Sequence, residues 1–341
     1  MRNVEMSRNG LSKVLLLLCA AVLVAAVVMG LNNVFGGTGI AFANAEKYTA
    51  GNAEISDTVK NLDIEWTGGK VSIAYYGGSA IIISETSKTA ISGDQQLHWW
   101  LDGETLRIRY EKPGIRLFNI WNQPKELTVT VPEGSVFGEV RISATSADMS
   151  IPQMKADRLL LTATSGDIVA AADAASLECT TTSGDQHLKL KGRMENILTA
   201  ATSGNITIEA EEASAVKTGS TSGSVRIDAD RIGELASGTT SGNVTAVVST
   251  VDRMTVSSTS GTVNLSVRAF GSLKAASTSG SVTAALSGVP GFTARITTVS
   301  GSINTDLAVT KQGSSYSCGD GSGRAEITTT SGNVWLTGIK D

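Results

Sequence analysis

The sequence predicts an all-β protein: a parallel β-helix, or β-solenoid, with coils of about 19 residues, preceded by an N-terminal transmembrane or signal helix. Three observations predict it. A corner written Thr-Ser-Gly plus one polar residue returns at a nearly fixed period. Apolar residues step by two on either side of that corner, and the body shows no helical period. Composition agrees, because Gly, Ser, Thr and β-branched residues are abundant while aromatics make up only 5%. A net charge of −4 gives no basic stripe, so nucleic acid is excluded as a partner.

The leader comes first. Residues 14–31, "VLLLLCAAVLVAAVVMGL", carry no charge and follow Arg2, Arg8 and Lys13. As a helix they would reach roughly 27 Å, close to the hydrocarbon thickness of a bilayer. Basic residues ahead of the span orient the body away from the cytoplasm. The preferred reading is an uncleaved single-pass anchor in the cell membrane. The rival is a signal peptide cut after Ala45, within "AFANAE" (41–46), which would release a secreted body. The small, polar stretch "GGTGIAFANAEKYTAGNA" (36–53) reads as a tether.

The body opens with "NLDIEWTGGKVSIAYY" (61–76). Taking Gly69 as zero, Leu62, Ile64 and Trp66 stand at −7, −5 and −3, and Val71, Ile73 and Tyr75 at +2, +4 and +6. This is the first coil. Residues 79–131 then break the period. "SAIIISETS" (79–87) is a strand, "QLHWWLDGETLRIRYEK" (96–112) a hairpin around Asp102-Gly103, and "KELTVTVPEG" (125–134) a return to the coils. The interruption is expected to cap the first coil or widen it into a small sheet. Within it Leu117, Phe118, Ile120 and Trp121 are dense for a loop; they either pack on the end of the coils or contact a partner or membrane.

The regular corners follow at Ala147, Gly166, Gly184, Gly204, Gly223, Gly242, Gly261, Gly280, Gly301 and Gly332, spaced 19, 18, 20, 19, 19, 19, 19, 21 and 31. The parity of the apolar positions switches between −3 and +2, so one face stays inward only if the chain bends sharply at the corner. Each segment is too short for a propeller blade of about 40 residues, and one solenoid coil fits. Stacked at roughly 4.8 Å, ten coils make a rod of roughly 45–50 Å. Gly at zero serves either a positive φ or close packing of the next coil. Ser at −1 is expected to stack its hydroxyls along the array. "KQGSSYSCGDGSG" (311–323) fills the longest gap and reads as a flexible loop; little sequence follows to cap the far end, so end-to-end self-association is an expectation. The chain thus divides into 1–35 (anchor or signal), 36–54 (tether), 55–135 (first coil with capping strands and hairpin) and 136–341 (regular coils).

The leader, "NLDIEW…GKVSI", "LRIRYEK", "ELTVTVPEG" and the serial "TSGD/TSGN" corners together resemble a bacterial adhesin-type domain family of unknown function, over about residues 55–341. That family occurs in envelope and cell-surface proteins, especially of Gram-positive bacteria. The resemblance implies a β-solenoid outside the membrane and, through some relatives, an association with envelope-stress responses. It supplies no catalytic residue and no cofactor.

Site chemistry is sparse. No HExxH, GxSxG or phosphate-loop signature occurs. Glu209 and Asp228 sit one coil apart near Lys189 and Arg226, which reads as a solvated charge ladder before it reads as a glycosidase pair. Asp148, Asp167 and Asp185 hold the +1 place in three consecutive corners, and a calcium ion between stacked carboxylates would relieve their repulsion. Paired threonines at −4 and −2 occur in only three coils, too few for a regular hydroxyl lattice. Cys179 is expected to point into the core as a free thiol, with no disulfide framework. The functional expectation is a non-catalytic envelope module that binds a cell-envelope polymer along its surface. The alternative is a structural or regulatory envelope component that binds a membrane protein through residues 113–124.

Overall fold

The computed structural model describes residues 44–91, 93–114, 124–287 and 291–339. The apolar leader, the start of the tether and the segment holding Leu117, Phe118, Ile120 and Trp121 lie outside the described residues. Among the described residues no helix is long and apolar enough to cross a membrane; the helical content is two short 3₁₀ turns, Ala45–Lys47 and Gly93–Gln95. The chain forms two compact units, one up to Lys189 and one from Leu190.

The first unit contains β1 (Thr49–Ala50), β2 (Ala53–Ile55), β3 (Asn61–Tyr76), β4 (Ile81–Ser87), β5 (His98–Asp102), β6 (Thr105–Arg109), β7 (Lys125–Pro132), β8 (Phe137–Ser165) and β9 (Ile168–Ser183). The first predicted coil is β3, and its Gly69 stands opposite Ala147 in β8, in the corner column. On its other side β3 pairs in parallel with β6 and β7, so a coil later in sequence lies before it in space. Gly69 has φ +100, and any Cβ there would collide with the Lys125 backbone. Antiparallel strands end the stack: β4 runs along β7 and β5 along β6, with β2 on β4 and β1 on β5. The irregular segment therefore both adds a coil and caps it. Parallel pairing carries the coils, and the change to antiparallel pairing stops them from propagating.

β10 (Gln186–Ala201) leads into the second unit. There follow β11 (Ile206–Ser220), β12 (Val225–Thr239), β13 (Val244–Ser258), β14 (Val263–Ser277), β15 (Val282–Leu286), β16 (Gly291–Ser300), β17 (Ile303–Thr305), β18 (Thr310–Gln312), β19 (Ser315–Gly319), β20 (Gly323–Ser331) and β21 (Val334–Gly338). β11 to β14 are parallel and in strict register. Ile206, Val225 and Val244 form one column and are at most 1% exposed, as the parity argument requires. Burying each such side chain contributes about 1.5–3 kcal/mol.

The last coils are not stacked in chain order. β20 lies between β14 and β16, and β21 between β15 and β17. The coil around Gly332 is thus inserted between those around Gly280 and Gly301. The stretch expected to be a flexible loop instead forms the hairpin β18–β19, and β19 covers the outer edge of β16 in antiparallel fashion. Gly313, with φ +58, makes its turn.

Candidate functional site: the corner column and two outward faces

The repeated corner is built by close approach. Gly223, Gly242, Gly261 and Gly280 do not have positive φ. A Cβ on any of them would fall far inside contact distance of the carbonyl of the preceding corner glycine. Only a hydrogen fits where each coil settles onto the last. The −1 serines Ser222, Ser241, Ser260 and Ser279 are exposed. The hydroxyls that tie coil to coil stand at −3 instead. Thr239 Oγ1 donates to the Gly223 carbonyl (3.0 Å), Ser258 Oγ to Gly242 (2.9 Å) and Ser277 Oγ to Gly261 (2.9 Å). Beyond the chain-order break, Thr329 Oγ1 donates to Gly280 (2.8 Å) and Thr298 Oγ1 to Gly332 (3.0 Å). Small residues at −3 were visible in the sequence, but their polar task was masked by the apolar residues that share the same inward face at −7.

At +1, side chains cap the amides of the next coil. Asp148 Oδ1 accepts from the Asp167 amide (3.0 Å) and Asp167 Oδ1 from the Asp185 amide (2.9 Å). In the second unit Asn205 accepts from the Ser224 amide (3.0 Å), Asn243 from Thr262 (2.9 Å) and Asn333 from Ser302 (2.9 Å). Asp and Asn thus do the same work: in Asp148 and Asp167 one carboxylate oxygen accepts a backbone amide of the next coil. Among the described residues no group of three or more His, Cys, Asp or Glu is placed to hold a metal ion.

The front of the first unit encloses a cation. Lys125 is 1% exposed, with Nζ 2.9 Å from Glu85 Oε2 and 2.8 Å from the Gln95 carbonyl; it also donates to the Tyr110 carbonyl. It lies 3.9 Å from the Tyr110 ring centroid and 5.2 Å from that of Trp66. Glu85 Oε1 in turn accepts from the Leu97 amide (2.7 Å). Burial pushes the Tyr110 hydroxyl up to about 12. Because each charge is paired, Lys125 and Glu85 pin β7 to the strands that close the stack.

Two outward faces remain as places for a partner. In the second unit the +3 positions form one row across seven strands: Thr207, Arg226, Thr245, Asn264, Thr283, Trp335 and Asn304. Trp335 is 44% exposed, so a large ring stands at the surface between the Thr283 hydroxyl and the Asn304 amide. The +5 row beside it pairs Glu209 with Asp228, and Asp228 lies 3.6 Å from Arg226; both acids are exposed, which fits a solvated ladder. On the first unit a row runs Trp100, Arg107, Asp63, Arg141 across β5, β6, β3 and β8. Tyr48 meets Trp100 edge-on at 5.6 Å, and burial raises its hydroxyl pKa against the opposing pull of Arg109 and Arg107. The sequence pattern places Trp100 in a hairpin, while the neighbours of that hairpin on β3 and β8 come from strands far along the chain.

The Toastrack DUF4097 family pattern matches residues 54–189 and 169–337, most of the body. The chain belongs to the Toastrack family. The two matches to this Toastrack chain overlap around β9, as a repeated unit of nearly constant period allows. Among solved structures, a candidate cell adhesion protein from Clostridium sporogenes is 10% identical, with 85% of this chain and 100% of that chain covered and a TM-score of 0.22. A candidate adhesin from Bacteroides fragilis is 13% identical, with 84% and 96% covered and a TM-score of 0.31. No curated protein matches the chain.

Proposed function

We propose that this Toastrack protein is a non-catalytic interaction module of the bacterial cell envelope, held outside the membrane by its apolar leader, residues 14–31. Its contact surface is the +3 row of the second unit. One observation carries this reading: Thr207, Arg226, Thr245, Asn264, Thr283, Trp335 and Asn304 stand in register on consecutive strands, with Trp335 exposed. Strand spacing repeats these polar groups every ~4.8 Å. An extended envelope polymer with its own short repeat can meet several of them at once, so shallow contacts add by avidity. The rigidity of the coils means little ordering accompanies binding.

The test is co-sedimentation of the full chain with purified cell walls. Wild type should pellet with the walls, and Trp335→Ala and Arg226→Ala together should weaken binding on the order of tenfold while leaving the fold intact. Equal pelleting of wild type and the double variant would overturn the assignment of this face.

A further inference from the structure

We propose that the Trp100 face of the first unit is a second, separate binding site, and that it takes the apolar face of an uncharged sugar ring. Trp100 projects outward from β5 and is half-buried, opposite Arg107 on β6, with Asp63 beyond it on β3. The polar groups beside the indole are already fixed. Arg107 Nη1 lies 2.6 Å from Asp63 Oδ2, while its Nε and Nη2 lie 3.1 and 3.0 Å from Asp102 Oδ2. Arg109 Nη2 holds the same Asp63 oxygen at 2.9 Å, and its Nε is 3.3 Å from Glu65. A ligand meeting these groups orders nothing further, which is where such sites gain affinity.

Charge selects the ligand class. Lys47, Arg107, Arg109 and Arg141 are balanced by Asp63, Asp102, Glu65 and Glu139, so neither an anion nor a cation finds surplus charge. Asp63 and Asp102 each spend Oδ2 on arginine, which leaves Oδ1 as an acceptor with no hydrogen bond among the described residues. An indole plane next to fixed acceptors and guanidinium donors suits a pyranose, which has C–H bonds on one face and hydroxyls around its rim. The ring also has an internal competitor. Exposed Lys47 rests its ammonium 4.9 Å from the Trp100 centroid. A sugar stacking there must move Lys47 aside, so removing that side chain should tighten binding.

The proposal rests on an interaction role for the protein but uses none of the residues of the +3 row. The probes are cellohexaose and chitohexaose, which are uncharged, and a sulfated heparin oligosaccharide as the anionic arm, titrated into the full chain by calorimetry. The uncharged probes should bind. Trp100→Leu, which keeps an apolar side chain against Tyr48, should weaken them at least about tenfold. Asp63→Asn should also weaken them, Lys47→Ala should strengthen them, and Trp335→Ala should change nothing. An unchanged melting temperature certifies the fold of each variant. No binding of either uncharged probe at millimolar concentration, preference for the sulfated probe, or wild-type affinity in Trp100→Leu and Asp63→Asn would overturn it. Cell-wall pelleting that depends on Trp335 would survive any of those results, so the two readings fail separately.

Discussion

At the scale of single residues, the repeated corner is a packing device and its glycine is dictated by the neighbouring coil. Gly242 stands over the Gly223 carbonyl, and Ser258 satisfies the carbonyl of Gly242 from the next coil at 2.9 Å. These two contacts differ in kind, and the difference is measurable. Gly242→Ala forces a methyl group into backbone that cannot yield without separating two coils, and should cost about 3 kcal/mol. Ser258→Ala leaves one carbonyl unsatisfied and should cost about 1 kcal/mol. Denaturant unfolding of the two variants checks the order; a corner that needed glycine for its own φ, and not for its neighbour, would give no reason for the cost to track a carbonyl one coil away. The same physics explains what the sequence shows here and what it hides. Gly at a fixed period is legible because nine of the ten corners carry it, with Ala147 the exception. The choice between positive φ and close approach is not, since both are written with the same letter. Likewise the Ser at −1 catches the eye because it never varies, yet the ties between coils are made by hydroxyls at −3.

At the scale of elements, the period predicts the coils well, from the Gly69 coil onward, because each turn repeats one apolar pattern. It fails where chain order and spatial order part. Nothing in "ARITTVSGSINT" and "AEITTTSGNVWL" says which stacks on the Gly280 coil, for each carries the same inward residues. The difference is set by the connection: the 21-residue spacing to Gly301 and the hairpin β18–β19 carry the chain past the slot before β20 and β21 return to fill it. At the front, likewise, β6 and β7 fall before β3 in space because the hairpin of β5 and β6 turns the chain back. Cysteine pairs on the outward +3 row test the order directly. Thr283 and Trp335 are neighbours, as are Trp335 and Asn304, whereas Thr283 and Asn304 lie two strands apart, about 9–10 Å. Cysteines at 283 and 335 should oxidise to a disulfide and those at 283 and 304 should not, because Cα atoms beyond about 7 Å cannot be bridged. Peptide mapping of the oxidised variants by mass spectrometry reads the answer. Coils stacked in chain order would reverse it.

At the scale of the whole molecule, each unit carries its own thiol reporter. Cys179 lies in β9 on the inward face at −5, 0% exposed, and Cys318 lies half-buried in β19 of the second unit. The inward place of Cys179 was legible from the step-of-two pattern alone. The exposure of Cys318 was not, because it depends on a hairpin that the sequence disguises as a loop. Burial pushes the Cys179 thiol far above its ordinary value of 9.0. The native state therefore keeps its proton while the unfolded chain releases it, so this group's contribution to stability is lost as pH rises through and beyond 9.0. Reactivity follows the same logic, since the thiolate is the nucleophile and needs access. With Cys19 replaced by Ser, iodoacetamide at pH 8 should label Cys318 within minutes and leave Cys179 untouched until denaturant unfolds the first unit. Mass spectrometry of the labelled protein counts one adduct in the first case and two in the second. The denaturant concentration at which the second adduct appears then measures the stability of the coils around β9, separately from those that carry the Trp335 row. Labelling of Cys179 in the native protein would mean that the coils of the first unit open far more readily than a column of fully buried side chains permits.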